Sequence, residues 1–95
     1  MSTNNSSRPI MRLLDVLGQK WALRILWELR NEPMNFRQLQ ARCDDLSPTS
    51  LNRRLKELRE LGIVEHDEEG FAYSSAGAEL VEQLLQLNIW ADKNL

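Results

Sequence analysis

Thr49, Ser50, Asn52 and Arg53 stand together near the start of the run SPTSLNRRLKELRELGIV, with Arg54 and Lys56 close behind. Hydroxyl, carboxamide and guanidinium groups are hydrogen-bonding partners for base edges, and a guanidinium can pair bidentately with guanine. They can act together only if something holds them on one outward surface. The same run supplies that support. Ser47 can accept a hydrogen bond from the first free backbone N–H groups, Pro48 suits the first helical position, and Gly62 can close the far end in a left-handed conformation. Between these marks Leu51, Leu55, Leu58 and Leu61 recur at three- and four-residue steps, so at about 100° per residue they share one side of a helix. Thr49, Arg53, Lys56 and Glu60 fall near the opposite pole, with Ser50, Asn52 and Glu57 on the flanks. Such a face fits a DNA major groove. An ordinary amphipathic surface helix would show the same pattern, and the neighbouring segments decide between the two.

Composition excludes most other chemistry. With one cysteine, Cys43, and one histidine, His66, the chain has no internal disulfide framework and no closed four-ligand zinc site, so neither a metal nor another cofactor is expected. No nucleophile elbow and no phosphate-cradling glycine loop is present, and 95 residues leave little room for a substrate pocket, so catalysis is not expected. No stretch approaches the roughly 20 apolar residues needed to cross a bilayer, and the polar start MSTNNSSRP lacks the apolar centre of a signal peptide; a cytoplasmic protein without membrane contact is expected. The net charge of -2 is no nucleic-acid signature by itself. Its distribution is more telling: residues 1–62 hold eleven of the twelve Lys and Arg against seven acids, a balance of +4, whereas residues 63–95 stand at -6.

The elements that must position the polar face can be read on either side of it. Residues 1–8 are small and polar and read as a disordered tail, leaving residues 9–95 as a single domain. From Pro9, the residues Ile10, Leu13, Leu14 and Leu17 follow helical spacing up to Gly18. A second helical run from Trp21 to Leu29 is apolar on most of its circumference, which predicts the buried centre of the domain. Asn35 with Gln38 three residues on is a capping-box pattern, opening a short third helix with Phe36, Leu39 and Ala41 on its apolar side. Cys43 to Leu46 make a turn into the run described above. After Gly62, alternation through His66, the polar stretch DEEG, then Phe71 and Tyr73 predict a short hairpin. Ser74 can cap a last helix, in which Leu80, Val81, Leu84, Leu85, Leu87, Ile89 and Trp90 crowd more than one narrow stripe.

Helix, helix, short helix, turn, helix, hairpin, helix is the order of a winged helix-turn-helix, a mainly α fold with a small β-hairpin. The residues also resemble a known family, the HxlR-type transcriptional regulators, a branch of winged-helix proteins close to the MarR type. The resemblance runs from Pro9 to about Trp90. LDVLGQKWALRILWEL is similar to the family's opening, in which a Leu-rich helix leads into Gly-Gly-Lys-Trp; here Gln19 replaces one Gly. NFRQLQ resembles the family's Arg-Phe-Ser-Glu-Leu, LSPTSLNRRLKELRELGIVE its recognition helix, and SSAG its Thr-x-x-Gly start of the last helix.

The resemblance implies a homodimer on an inverted-repeat operator in double-stranded DNA, paired through the first and last helices. The apolar excess of Ile10, Leu13, Leu14 and Leu17 at one end and Leu84, Leu87, Ile89 and Trp90 at the other agrees with a two-fold interface, although the same residues would also complete a monomeric core. Thr49, Ser50, Asn52 and Arg53 are the expected base readers. The Arg54 stem is expected to pack, with its guanidinium on a phosphate or a neighbouring acid; Lys56 and Arg37 are expected on backbone phosphates. A cleft between the last helix and the core is where an unidentified small-molecule effector would sit, as in related winged-helix regulators.

Two departures from the family stand out. Many members begin with a Cys-Pro pair whose thiol senses oxidants or electrophiles, and this chain has Arg8-Pro9 instead. Cys43 remains, beside Asp44 and Asp45, whose charge should raise its pKa; it reads as a packing residue. The wing is short and acidic at Asp67, Glu68 and Glu69, so it should repel phosphate, and His66 beside it reads as a surface histidine. The acidic wing and overall negative charge leave one alternative open: a winged-helix module that binds protein partners and has little DNA affinity.

Overall fold

The chain forms α1 (Pro9–Leu17), α2 (Ala22–Glu28), α3 (Phe36–Arg42), α4 (Pro48–Glu60), β1 (Val64–Asp67), β2 (Gly70–Tyr73) and α5 (Ser75–Asn94). These elements come from a computed structural model that describes residues 8–95, so all but the last residue of the expected tail lies outside the described residues.

Three helices start on side chains that take up free backbone N–H groups. Asn35 accepts from the Gln38 N–H at 2.8 Å while the Gln38 side chain accepts from the Asn35 N–H at 2.9 Å, completing the capping box of α3. Ser47 accepts from the Ser50 N–H at 3.2 Å at the head of α4, and Ser74 from the Gly77 N–H at 2.9 Å at the head of α5. Each such cap stabilises its helix by about 1 kcal/mol. Gly62 closes α4 at φ 76°, as its position after the last leucine predicts. Trp21 is a different matter. It stands just before α2 at φ 78°, in the left-handed region, so the helical periodicity that begins at Trp21 becomes a helix only from Ala22.

The core lies where α2, α3 and α4 meet. Ile25, Leu26 and Leu29 pack with Leu39 and Cys43 against Leu51, Leu55 and Leu58, closed off by Met34, Ile63, Val64 and Phe71. α2 is less central than its composition predicts: Leu23 and Trp27 remain 49% and 42% exposed, because the core covers one side of the helix and, among the described residues, no apolar element packs over the other. Ala41, expected on the apolar side of α3, is likewise exposed. α5 buries only Gly77 and Val81, with Leu80 and Leu84 packed against the core, because a 20-residue helix outruns the small body that it lies on.

The hairpin is antiparallel, with Val64 opposite Tyr73 and Asp67 opposite Gly70. Its tip is tightened by Asp67, whose carboxylate accepts from the Glu69 N–H at 2.8 Å. Met34 adds a third, one-residue rung: Met34 N–H donates to Phe71 O at 3.0 Å and Phe71 N–H to Met34 O at 2.7 Å. That rung requires glycine at position 70, where φ is 120° and a Cβ would lie 2.5 Å from Met34 O. The Tyr73 hydroxyl donates to the Leu26 carbonyl and so ties the hairpin to α2; burial pushes its phenol pKa up, against a smaller opposing effect of Arg30.

Candidate nucleic-acid interface

The segment from Cys43 to Leu46 sets how α4 stands on α3. Asp44 and Asp45 both take left-handed backbone at φ 57°, turning the chain within two residues. The Asp45 N–H donates to Gln40 O at 2.9 Å, and the Gln40 side chain donates to Leu46 O at 2.9 Å. α2 braces the same turn from behind. Arg24 donates to the Arg42 carbonyl at 2.7 Å, pairs with Glu28 at 2.8 Å and reaches Asp44 at 3.8 Å, while Arg42 meets Glu28 at 3.4 Å. Burial is the largest single influence on the Glu28 carboxyl and pushes it up. The hydrogen bonds and charges of Arg24 and Arg42 together outweigh it and hold Glu28 below the ordinary 4.5. The hydrogen bond to Glu28 in turn holds Arg24 more firmly protonated, against desolvation.

Cys43 lies under this brace, fully buried. Its thiol is pushed up from the ordinary 9.0 first by burial, with Arg24 opposing and Glu28 and Asp44 adding. The direction matches the sequence reading but the main cause differs: loss of water outweighs the carboxylates, and Asp45 is not among the groups responsible.

On α4 the leucines face inward and Thr49, Asn52, Arg53 and Lys56 face solvent, as does Arg37 in the first turn of α3. Among the described residues, none of these five side chains is held by an ion pair. Ser50 is half-buried and gives its backbone N–H to the cap. Arg54 has another partner: its side chain is only 13% exposed and pairs with Glu57 at 2.5 Å. Of the two partners that the sequence leaves open for Arg54, it holds the acid. Arg59, one turn beyond Lys56, escaped the sequence reading; it is exposed and lines, with Lys56, Glu60, Glu65 and His66, a recess between α4 and β1. Its spacing of three from Lys56 is the signal that could have found it.

The hairpin tip presents Asp67, Glu68 and Glu69 to solvent. His66 is exposed, as expected of a surface histidine, and one face of its ring stacks on Phe71 at 3.9 Å between centroids and 5° between planes.

The apolar surface divides unevenly. Leu13, Leu17 and Leu84, three of the eight residues expected at an interface, lie half-buried against the chain's own core. Ile10, Leu14, Leu87, Ile89 and Trp90 remain exposed, Leu87 at 62%. Leu23, Trp27 and Leu85, which the sequence reading left out of the interface, are exposed as well. Between α2 and α5 they border a groove of about 390 Å³, floored by Leu26 and Val81, with Arg24 and Asn88 its polar members. Arg30 lies over the Trp27 ring at 3.9 Å. Among the described residues no group of acids, histidine and cysteine could hold a metal ion, and no helix is long and apolar enough to cross a membrane.

Two helices joined by a braced turn, a hairpin behind the second and flanking helices on either side define a winged helix-turn-helix protein. Residues 16–95 match the HxlR-like helix-turn-helix family, and the chain belongs to that family of transcriptional regulators. It is similar to the HTH-type transcriptional regulator YvaP of Bacillus subtilis, with 34% identity over 56 residues; that stretch is 59% of this chain and about half, 52%, of YvaP. Its fold is similar to that of YodB, a transcriptional regulator of B. subtilis, in a quinone-bound crystal structure, with a TM-score of 0.81 and 26% identity over 88% of this chain and 96% of YodB. The reduced form of YodB superposes with a TM-score of 0.78, also at 26% identity, over 92% of this chain and 93% of that one. A MarR-family protein from Porphyromonas gingivalis W83 shares the fold at 15% identity and a TM-score of 0.77, over the whole of both chains.

Proposed function

We propose that this chain is a cytoplasmic, sequence-specific DNA-binding regulator that acts as a homodimer on an inverted-repeat operator. One observation carries the reading. Thr49, Asn52, Arg53 and Lys56 stand exposed on the outer face of a capped helix whose inner face is locked into the core by Leu51, Leu55 and Leu58. The helix is therefore rigid where it must be and polar where it would meet DNA. Thr49, Ser50, Asn52 and Arg53 read base edges, with Arg53 on guanine; Lys56 and Arg37 sit on phosphates; Arg54, held by Glu57, steadies the helix and lends charge to the backbone contact. The acidic hairpin tip stays off the DNA.

Ile10, Leu14, Leu87, Ile89 and Trp90 form the heart of the dimer surface, and exposed apolar residues on two terminal helices support it. Two recognition helices about 34 Å apart would read successive turns of one groove. An effector has room in the groove between α2 and α5, where it would be held without a covalent thiol bond, since the single thiol, Cys43, is buried elsewhere.

The acidic wing favours a second reading, a module that docks protein partners through the same fold. Binding to mixed-sequence DNA over a salt series separates the two. A regulator loses affinity steeply as salt rises, through release of counterions. Its Arg53→Ala variant loses about 5- to 150-fold of its preference for operator over mixed DNA, the ~1–3 kcal/mol of one bidentate pair. No binding at low salt would leave the docking module as the better account.

A further inference from the structure

Four elements converge on two residues, Gly62 and Ile63. α4 ends there, β1 leaves from there, α1 faces Ile63 through Pro9, Arg12 and Leu13, and α5 begins against it. The α5 contact is the tightest. The Ser74 hydroxyl donates to Gly62 O at 2.5 Å, with Ile63 O at 3.2 Å, while its oxygen accepts from the Gly77 N–H; the Ser74 N–H donates to Ile63 O at 3.0 Å. Gly77 then lies so close that a Cβ would stand 2.0 Å from Ile63 O and 2.9 Å from its carbonyl carbon. The obstacle is backbone on both sides, so no side chain can swing away to make room.

We infer that Ser74 and Gly77 are positioning residues that fix the angle between the recognition helix and the dimerisation helix, and thereby select the half-site spacing that the dimer accepts. This deepens the reading of the chain as a dimeric regulator and rests on it. α5 acts as a lever. From Gly77 to Trp90 the helix runs about 20 Å at 1.5 Å per residue. A tilt of about 10° at Gly77 carries Trp90 roughly 3 Å sideways, close to the ~3.4 Å rise of one base pair. The two-fold axis repeats the displacement in the other subunit. A capping role alone explains the bond from Gly77 to Ser74, as at the other helix starts. It explains neither the bonds from Ser74 back to the end of α4 nor the contact between the Gly77 and Ile63 backbones.

The test uses the full-length protein and duplexes carrying one inverted repeat, selected by the wild type, with the spacer shortened or lengthened by one and two base pairs. Ser74→Ala, Ser74→Thr and Gly77→Ala are compared with the wild type after circular dichroism shows which are folded. The wild type should prefer one spacing. Gly77→Ala should move the optimum by at least one base pair, and Ser74→Ala should flatten the preference about fivefold or more, while both bind an isolated half-site as the wild type does. Ser74→Thr, which keeps the hydroxyl, should restore the wild-type profile. If Gly77→Ala does not fold, Ser74→Ala and its threonine rescue decide the matter. Variants that weaken all spacings equally, or keep the wild-type profile, would overturn the inference and leave the regulator reading intact. A wild type that binds DNA without any spacing preference would do the same. A wild type that binds no DNA at low salt would overturn both.

Discussion

Arg53 and Arg54 are adjacent and chemically identical, yet one faces open solvent and the other lies under an ion pair with Glu57. Helical geometry separates them by about 100°, enough to turn one toward a groove and the other along the flank of the body. The same contrast between exposed and covered groups governs reactivity at Cys43. Burial raises its thiol and walls it off, so in the native protein at neutral pH it should resist iodoacetamide and react at the rate of unfolding, a rate that mass spectrometry reads directly. Rapid labelling of the folded chain would show that the brace above it opens. Glu28 provides a pH handle on that brace. Its folded pKa is lowered, so its contribution is fully present above the ordinary 4.5 and is lost as pH falls through the folded value. The urea midpoint of the wild type should therefore drop more between about pH 6 and pH 3 than that of Glu28→Gln. High salt should shrink the difference, since Arg24 is well exposed and screening is strong there.

At the scale of elements, the chain's own punctuation accounts for most of what folds. Proline at the head of α1 and α4, the Asn35–Gln38 box, Ser47, Ser74 and Gly62 all act locally, within four residues of the groups that they satisfy, and each stands where sequence reasoning sets it. Gly62→Ala should cost about 1–2 kcal/mol in chemical denaturation, because alanine resists φ 76° although its Cβ meets nothing within 4 Å. Gly62→Asn should cost less, since asparagine tolerates that conformation. What depends on distant partners was not legible. The Met34 rung is a single residue with no alternation to betray it, and it exists because Phe71 comes from 37 positions further on. Periodicity shows that α2 is apolar on most of its circumference but not that Leu23 and Trp27 stay exposed. At the site the outward face of α4 followed from spacing, whereas the partner of Arg54 is a matter of side-chain reach that spacing left open.

Taken whole, the molecule is basic where α4 and its neighbours lie and acidic in the hairpin and α5, with apolar residues of α1 and α5 exposed. A dimer would cover those residues and place two weak readers on one duplex. If a dimer forms there, Leu87→Glu or Trp90→Glu would bury a charge in its interface, so sedimentation should find these variants monomeric and still folded, and they should bind an inverted repeat at least about tenfold more weakly than the wild type while matching it on an isolated half-site. A dimer that survives both substitutions would move the interface elsewhere. Whether α4 reads DNA in pairs is decided by sequencing the fragments of host genomic DNA that the purified protein retains at moderate salt. Enrichment of an inverted repeat with half-site centres about 10 base pairs apart, or a multiple of that, and its loss with Arg53→Ala, is the predicted result. Retention of random fragments, or of none, would contradict it.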